Sequence, residues 1–381
     1  MGTGAVWAPE REETMQTGPL MKIGRYEMRE EIASGGMATV YRAIQTGVGG
    51  VRSVVAVKIL HAHLAKEAEY RKMFLEEARI GALLQHKCLL NVLDYGEEEG
   101  ISFIVTEYFP SLSLEDLVAK VGPVPLPEAL YILSQAAEGL HALHEARDLE
   151  GKKLGLIHRD VSPQNVLVGH DGRVKVIDYG IIKRKDPTER TMPGIVKGKC
   201  RYMSPEQAVG GTLEPPSDIF ALGVVMLRIL SGAKPHGDGS TSEILARARD
   251  GLDVRKSLGK ASVPTEVLAF LERMLALDPE DRFSTGADVA REARRLLGTL
   301  QVVFDPAAFE AWVGELAGTR ASIRPRRRRK AEPKPEADEI KDVRPGPRPA
   351  LDGGIHPRWV AAGLGLLFLF AVVAHLADTW M

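Results

Sequence analysis

The spacing of apolar residues predicts a strand-rich first part and a helix-rich second part of the chain. Between Ile23 and Tyr108, short runs rich in β-branched residues alternate with Gly-rich segments, as is typical of strands. These runs cover residues 31–32, 40–43 and 54–59. One helix interrupts them over residues 67–84, because apolar side chains recur there at helical spacing; they are Phe74, Leu75, Ala78 and Ala82.

From residue 114 onward, the apolar residues recur at the spacing of amphipathic helices. The predicted helices cover residues 127–146, 217–230, 242–249, 265–277 and 285–300. A closing segment (residues 301–318) carries Phe309, Trp312, Val313 and Leu316 on one helical face over residues 306–316, and we expect it to dock on the body. Strands followed by helices predict an α+β protein with a β-rich lobe (residues 23–109) before a helical lobe (residues 110–300).

The two ends of the chain differ in composition from this body. Residues 1–22 lack the basic start and the apolar run of a signal peptide, and we expect a flexible leader. Residues 319–358 contain 12 Lys or Arg against 6 Asp or Glu, together with many prolines. Such a composition buries little apolar surface and is typical of an extended basic linker.

Residues 359–377 carry no formal charge. As a helix with a rise of 1.5 Å per residue, they would span about 28 Å, close to the ~30 Å hydrocarbon core of a bilayer. A buried C-terminal helix is the alternative. Because Trp359 and Trp380 fit membrane interfaces and the basic residues 326–330 precede the segment, we expect a single-pass anchor in the cell membrane, with the body in the cytosol.

Overall charge and cysteine content exclude several classes of protein. Fifty Lys and Arg residues balance 51 Asp and Glu residues, so the net charge of −1 gives no reason to expect nucleic acid as a partner. The only two cysteines, Cys88 and Cys200, exclude a disulfide-stapled scaffold and a multi-cysteine zinc module. This composition suits a reducing cytosol.

Candidate chemistry begins in the strand-rich part. Gly35 and Gly36 lie between two predicted strands, where the absence of Cβ atoms would let backbone amides approach a phosphate. A simple hairpin turn also explains this pair. Lys58 follows on an apolar strand, either as a functional ammonium or as a solvated strand-edge charge. Glu76 and Glu77 on the next helix are both within reach of it.

Three further motifs follow in the helical part. They are HRDVSPQN at residues 158–165, VKVIDYG at residues 174–180 and RYMSPE at residues 201–206. The carboxylates of Asp160 and Asp178 and the amide of Asn165 are the hard oxygen ligands and the base that a metal–nucleotide site needs.

With these motifs, the chain resembles the protein kinase family, in particular the bacterial eukaryotic-like (Hanks-type) Ser/Thr kinases. The resemblance extends from about residue 23 to residue 300 and implies the bilobal kinase fold. It implies that the protein uses ATP and Mg²⁺ to phosphorylate protein substrates. The alternative is a pseudokinase scaffold that binds nucleotide or a partner at the membrane. A small-molecule kinase is disfavoured by the Ser-Pro-Glu206 segment.

The resemblance implies a role for each motif. Lys58 would hold the α- and β-phosphates and pair with Glu77, chosen over Glu76 by the family pattern. Asp160 would accept the proton of the substrate hydroxyl, and Asn165 and Asp178 would bind magnesium.

Other residues would form the nucleotide pocket and its support. Nucleotide-contacting positions would be Ile32, Ala33, Ser34, Gly35, Gly36, Val40, Lys58, Glu107 and Phe109. The segment from Glu107 to Phe109 would be the hinge whose backbone meets adenine, with Thr106 guarding the deep pocket. Asp218 would support the catalytic loop. Glu206 would pair with Arg282 in a structural ion pair.

Regulation by phosphorylation is also implied. Arg159, next to the catalytic Asp160, is typical of kinases controlled by a phosphorylated activation segment. In residues 181–203, Thr188 and Thr191 are the candidate acceptors, and we expect a homodimer to phosphorylate them in trans.

The chain also departs from the family pattern. Ala33 and Ala38 replace the usual first and third glycines; if the backbone there requires φ > 0, Ala costs about 1 kcal/mol. Tyr179 replaces a Phe and preserves the ring. Ser162 replaces the Lys expected two residues after the catalytic Asp. We hypothesise that Lys199, in place of a Thr, supplies the missing cation; a solvated lysine is the alternative.

Overall fold

The computed structural model describes residues 20–179, 200–299 and 304–318. All of them belong to the first of two compact units, Met1–Arg324; the second unit is Pro325–Met381. The described part has a sheet-containing first lobe and a mainly helical second lobe, as the apolar pattern predicts.

The first lobe is a six-stranded antiparallel sheet with one helix on it. In chain order the strands are β1 (Met21–Ile23), β2 (Tyr26–Ser34), β3 (Ala38–Thr46), β4 (Arg52–Leu60), β5 (Val92–Glu98) and β6 (Ile101–Glu107), and their order in the sheet is β1-β2-β3-β4-β6-β5. Helix α1 (Ala68–Leu83) buries Phe74 and Ala78 against Leu60 of β4 and Ile104 of β6. This contact places Glu77 of α1 next to Lys58 of β4.

The second lobe is built around two long helices. Its helices are α2 (Leu114–Val121), α3 (Leu126–His144), α4 (Pro205–Ala208), α5 (Pro215–Ser231), α6 (Thr241–Arg249), α7 (Val254–Leu258), α8 (Thr265–Met274), α9 (Gly286–Thr299) and α10 (Pro306–Gly318). Helices α3 and α5 supply much of the largest apolar cluster. Gly286 lets α9 approach α3, because a Cβ atom there would lie 2.5 Å from the carbonyl oxygen of Ala137.

Helix boundaries follow local capping signals. Helix α5 starts with a capping box between Glu214 and Ser217 and ends at Gly232, which adopts φ 67°. Helix α6 starts with a capping box between Ser240 and Glu243. The helix predicted over residues 265–277 ends earlier, at Met274.

A small sheet in the second lobe was not predicted. Strands β7 (Ser111–Ser113), β8 (Val166–Gly169) and β9 (Val174–Val176) pair in the order β7-β8-β9. Each has only three or four residues, too few to show an alternating pattern. This sheet matters for the site because β8 begins directly after Asn165 and β9 ends two residues before Asp178.

Helix α10 forms where the closing segment was predicted, and it docks on the second lobe. Its Phe309 and Val313 are buried, and the Phe309 ring meets Tyr131 of α3 edge-on at 5.4 Å. Lys120 of α2 donates to the carbonyl oxygen of Leu316 at 2.6 Å.

No helix within residues 20–179, 200–299 and 304–318 is both long enough and apolar enough to span a bilayer. The predicted anchor at residues 359–377, the linker at 319–358 and most of the leader lie outside the described residues.

Candidate active site

Lys58 connects the two lobes. Its Nζ donates to Glu77 Oε1 at 2.7 Å and to Asp178 Oδ1 at 3.0 Å. Burial opposes the ammonium form, but the carboxylates of Asp178 and Glu77 outweigh it and raise the pKa of Lys58. Burial raises the pKa of Glu77, an effect that the Lys58 charge opposes. Of the two adjacent glutamates on α1, Lys58 contacts the one that the sequence pattern favours.

The hairpin between β2 and β3 forms a narrow loop beside Lys58. The Gly35 N–H donates to the carbonyl of Ala38 at 2.9 Å, and Val40 lies opposite Lys58 in the sheet register. A Cβ atom on Gly35 would meet nothing closer than 3.7 Å, so packing does not require this glycine. Its small size instead leaves the loop backbone accessible, as a phosphate-binding loop needs.

Ala33 lies inside strand β2, opposite Val40. It is not among the residues with positive φ, so the strain considered for an alanine at this position does not arise. Ile32, in the same strand, is 43% exposed, an apolar side chain available to a ligand.

Asp160 and Asn165 are held together in the loop before β8. The Asn165 amide Nδ2 donates to the backbone carbonyl of Asp160 at 2.8 Å and to its Oδ2 at 3.2 Å. Because these bonds use the NH₂ group, Asn165 Oδ1 is the atom that remains to bind a cation.

Two residues of the candidate site adopt positive φ angles that non-glycine residues rarely adopt. Arg159 has φ 63° and Asp178 has φ 55°. Surrounding contacts hold this backbone: His158 Nε2 lies 3.0 Å from the Ile177 carbonyl, and the Tyr179 hydroxyl donates to the Leu90 carbonyl at 3.0 Å. Such local strain is common at functional sites, where the surrounding structure maintains it.

Asp218 supports the loop that carries Asp160. Its carboxylate accepts from the backbone N–H of His158 at 2.7 Å and of Arg159 at 2.9 Å, and lies 2.7 Å from His144 Nε2. Burial opposes ionisation, but these hydrogen bonds, with that of His144 the strongest, lower the pKa of Asp218. The predicted support is therefore present, and His144 is a partner that the sequence did not reveal.

The model of the protein kinase domain family matches residues 26–294. This chain belongs to the protein kinase domain family.

Several characterised kinases are similar to this kinase domain. The tyrosine-protein kinase MasK of Myxococcus xanthus is 35% identical over 271 residues, which cover 70% of this chain and 42% of MasK. The serine/threonine-protein kinase PrkC of Bacillus subtilis is 32% identical, with 71% of this chain and 40% of PrkC covered. The serine/threonine-protein kinase PknA of Mycobacterium tuberculosis is 33% identical, with 70% and 60% covered. The matched region thus spans about 40 to 60% of these relatives.

The kinase domain of Mycobacterium tuberculosis PknI shares the fold. Its crystal structure aligns with a TM-score of 0.51 and 25% identity, over 72% of this chain and 97% of the PknI domain.

The predicted hinge of the kinase follows β6. The Glu107 N–H donates to the Asn91 carbonyl at 3.1 Å, and the Thr106 hydroxyl donates to the Glu107 carbonyl at 3.2 Å. Phe109 is buried. Lys175 of β9, which the sequence did not single out, donates to Glu107 Oε1 at 2.9 Å.

The kinase also contains the predicted ion pair of its second lobe. Arg282 is fully buried and binds Glu206 through two parallel hydrogen bonds of 2.8 and 3.0 Å. Burial opposes ionisation of Glu206, but the Arg282 hydrogen bonds lower its pKa to about 2.

The oxygen groups of the cleft suit Mg²⁺, the metal that membership in the family implies. Within the described residues, no cluster of three or more His, Cys, Asp or Glu side chains is arranged to hold a metal. Asp178 and Asn165 would therefore bind the ion together with phosphate oxygens and water, as is usual for Mg²⁺.

Three predicted residues of the activation segment, Thr188, Thr191 and Lys199, lie outside the described residues. Ser162, which replaces the usual Lys, is 1% exposed, and its Oγ has no hydrogen-bond partner among the described residues. Gln207 of α4 donates to the Arg159 carbonyl at 2.8 Å. This contact, which the sequence did not reveal, ties the catalytic loop to α4.

Proposed function

We propose that this chain is a membrane-tethered serine/threonine protein kinase that transfers the γ-phosphate of ATP to protein hydroxyl groups. The observation that carries the proposal is the position of Lys58, whose ammonium binds Glu77 of the first lobe and Asp178 of the second at once. A bridging cation at this point brings the phosphate-binding hairpin and the metal-binding carboxylate to the same cleft.

The residues of the cleft divide the work of the transfer. Lys58 binds the α- and β-phosphates. Asn165 and Asp178 would hold Mg²⁺, which would supply further positive charge at the phosphates. Asp160 orients the substrate hydroxyl and accepts its proton, a role that contributes typically 10²–10⁴-fold. Asn165 fixes Asp160 through the hydrogen bonds described above. Catalysis thus rests on positioning and charge neutralisation, without a covalent intermediate.

Serine and threonine are the proposed acceptors, as the names of PrkC and PknA indicate for those relatives. MasK is named as a tyrosine kinase, and Ser162 lacks the cation usual in Ser/Thr enzymes. We therefore retain the hypothesis that Lys199 supplies this cation. Lys199→Met should lower turnover about 10²-fold at saturating ATP, and Ser162→Lys combined with Lys199→Thr should restore part of it. Unchanged turnover in Lys199→Met would refute the hypothesis.

Activation is proposed to proceed by phosphorylation of Thr191, and secondarily of Thr188, in trans within a homodimer. The new charge of about −1.5 to −2 would pair with Arg159. The backbone of Arg159 is already fixed by Asp218 and Gln207, which supports its use as a rigid anchor. Unchanged activity after Thr188→Ala with Thr191→Ala would contradict this route.

Membrane tethering rests on residues 359–377. Deleting residues 359–381 should move the kinase to the soluble fraction with phosphate transfer retained, because the Pro-rich linker separates the anchor from the lobes. A deleted protein that stays in the membrane pellet without aggregating would contradict single-helix anchoring.

The most informative test is to incubate the full chain with MgATP and a generic protein substrate and to map phosphosites by mass spectrometry. We expect phosphate on serine and threonine, including the activation segment. Phosphate only on tyrosine would change the proposed acceptor. Nucleotide binding without any transfer would favour the pseudokinase scaffold.

A further inference from the structure

Lys175 is a buried cation in the middle of β9 that the proposed mechanism does not use. Its side chain is 2% exposed and is among the largest fully buried side chains of the described residues. Removing an ammonium from water costs several kcal/mol unless the site pairs it well. A buried lysine at this point therefore needs specific partners.

Both ends of the predicted hinge provide such partners. Lys175 Nζ donates to Glu107 Oε1 at 2.9 Å and lies 5.6 Å from the centroid of the Phe109 ring. Its second hydrogen bond goes to the Leu89 carbonyl at 2.9 Å. Residues two apart in an extended segment place their side chains on one side, so Glu107 and Phe109 converge on the same ammonium.

The Glu107 side chain accepts a second hydrogen bond, from Asn91, which further fixes its position. The same Oε1 accepts from the backbone N–H of Asn91 at 2.8 Å, and the Glu107 N–H donates back to the Asn91 carbonyl at 3.1 Å. Lys175 thus joins a hydrogen-bond network that holds Glu107 of the hinge from the side of β9. Since β9 leads two residues later to Asp178, the network ties the hinge to the metal-binding end of the site.

We propose that Lys175 is a positioning residue of the nucleotide site, which holds the backbone of residues 107–109 where it selects adenine. The proposal rests on the proposed function, in which this backbone hydrogen-bonds the base. Adenine presents an amino group where guanine presents a carbonyl oxygen. A fixed hinge therefore discriminates between them, because the mismatched base leaves backbone groups unpaired. If the hinge backbone shifts, the protein should lose both its affinity for adenine nucleotides and its discrimination against guanine nucleotides.

The test measures binding of MgADP and MgGDP to the full chain by calorimetry, with the melting temperature recorded alongside. In Lys175→Met we expect ADP affinity to fall about 10-fold and the ADP:GDP preference to fall by a similar factor. Lys175→Arg keeps the charge and should restore most of the preference. Should Lys175→Met fail to fold, the double change Lys175→Met with Glu107→Gln removes the unpaired carboxylate as well and allows the same measurement.

Lys120→Met is the control, because Lys120 also donates to a backbone carbonyl, that of Leu316, at a distance from the predicted hinge. It should leave the ADP:GDP preference unchanged. A Lys175→Met protein with a lower melting temperature but a wild-type ADP:GDP preference would overturn the proposal, since Lys175 would then be only structural.

The binding measurement distinguishes a failure of the positioning role from a failure of the proposed kinase activity. A wild-type chain that prefers ADP but transfers no phosphate would contradict the kinase activity, while the Lys175 variants would still decide the positioning role. A wild-type chain with no preference for ADP over GDP would overturn the positioning role directly.

Discussion

Two ion pairs join distant parts of this kinase domain, and they differ in how completely their charges are matched. Arg282 binds Glu206 through two hydrogen bonds, and its other donors reach three backbone carbonyl groups. Lys58 instead faces two carboxylates, Glu77 and Asp178. The Arg282 pair joins one cation to one carboxylate, whereas Lys58 is shared between two carboxylates.

The two sites also differ in the solvent exposure of their carboxylate side chains. The Asp178 side chain is 52% exposed, against 15% for Glu206. An exposed carboxylate can take a divalent cation as a further partner, whereas an enclosed carboxylate with two bonds to one guanidinium is already occupied. We therefore propose that Arg282 serves folding and that Lys58 serves chemistry. Substitutions at the two sites should therefore affect different observables.

The largest expected effect is on stability, at Arg282. Arg282→Met leaves the Glu206 carboxylate and three carbonyl groups without their donor, and should lower the free energy of unfolding by about 3–5 kcal/mol. Urea denaturation followed by circular dichroism measures this change. Arg282→Met combined with Glu206→Gln should cost less than the single change; an equal or larger loss would contradict the charge-based explanation.

A substitution of Lys58 should affect activity much more than stability. Lys58→Met removes the cation that binds phosphate and should lower kcat/KM by about 10²–10³-fold. The fold should persist, because the carboxylates it leaves are partly exposed or able to take up a proton. Initial rates with MgATP, paired with a melting curve, test both parts. A variant that loses its fold instead would remove the distinction between the two pairs.

Acid should weaken the Arg282 site. The pKa of Glu206 is lowered from 4.5 to about 2 in the folded protein, so the unfolded chain binds its proton first as pH falls. The stability that the ionised Glu206 contributes is complete well above pH 4.5 and disappears as pH falls toward 2. Unfolding free energies between pH 6 and pH 2 should show this loss, and Glu206→Gln should flatten that part of the profile. The same acid slope in both proteins would show that other groups dominate.

The smallest expected effect distinguishes two neighbouring glutamates. Glu77→Gln weakens the bond that orients Lys58 and should reduce kcat/KM roughly 10-fold, close to 1.4 kcal/mol. Glu76→Gln is the matched control on the same helix and should keep wild-type kinetics. Equal losses in the two variants would show that α1 contributes general charge and not a specific contact.

Much of the fold and of the candidate site could be predicted from local patterns, and the exceptions share a cause. Short sequence motifs locate the main residues of the candidate site, because each chemical group lies within one motif. These residues are Lys58, Asp160, Asn165 and Asp178. His144 and Lys175 were missed since their acidic partners are 74 and 68 residues away in sequence. Isolated basic residues on a helix or strand are usually solvated, and only the fold reveals which of them are buried against a carboxylate.

The small sheet was missed for a related reason. Strands β7, β8 and β9 are too short to display an alternating pattern. Strand β7 pairs with β8, which lies 53 or more residues later in the chain. Pairing between distant short segments is a tertiary effect that local propensity does not encode.

The central claim is that the acidic groups of the cleft perform phosphate transfer without holding the fold together. Phosphate incorporation from MgATP, measured on the full chain, tests it in Asp160→Asn and Asp178→Asn, with the exposed Asp250→Asn as the matched control. We expect both cleft variants to lose transfer while their melting temperatures stay within a few degrees of the wild type, and Asp250→Asn to behave as the wild type. Full phosphate incorporation in a clean Asp178→Asn protein would contradict the account.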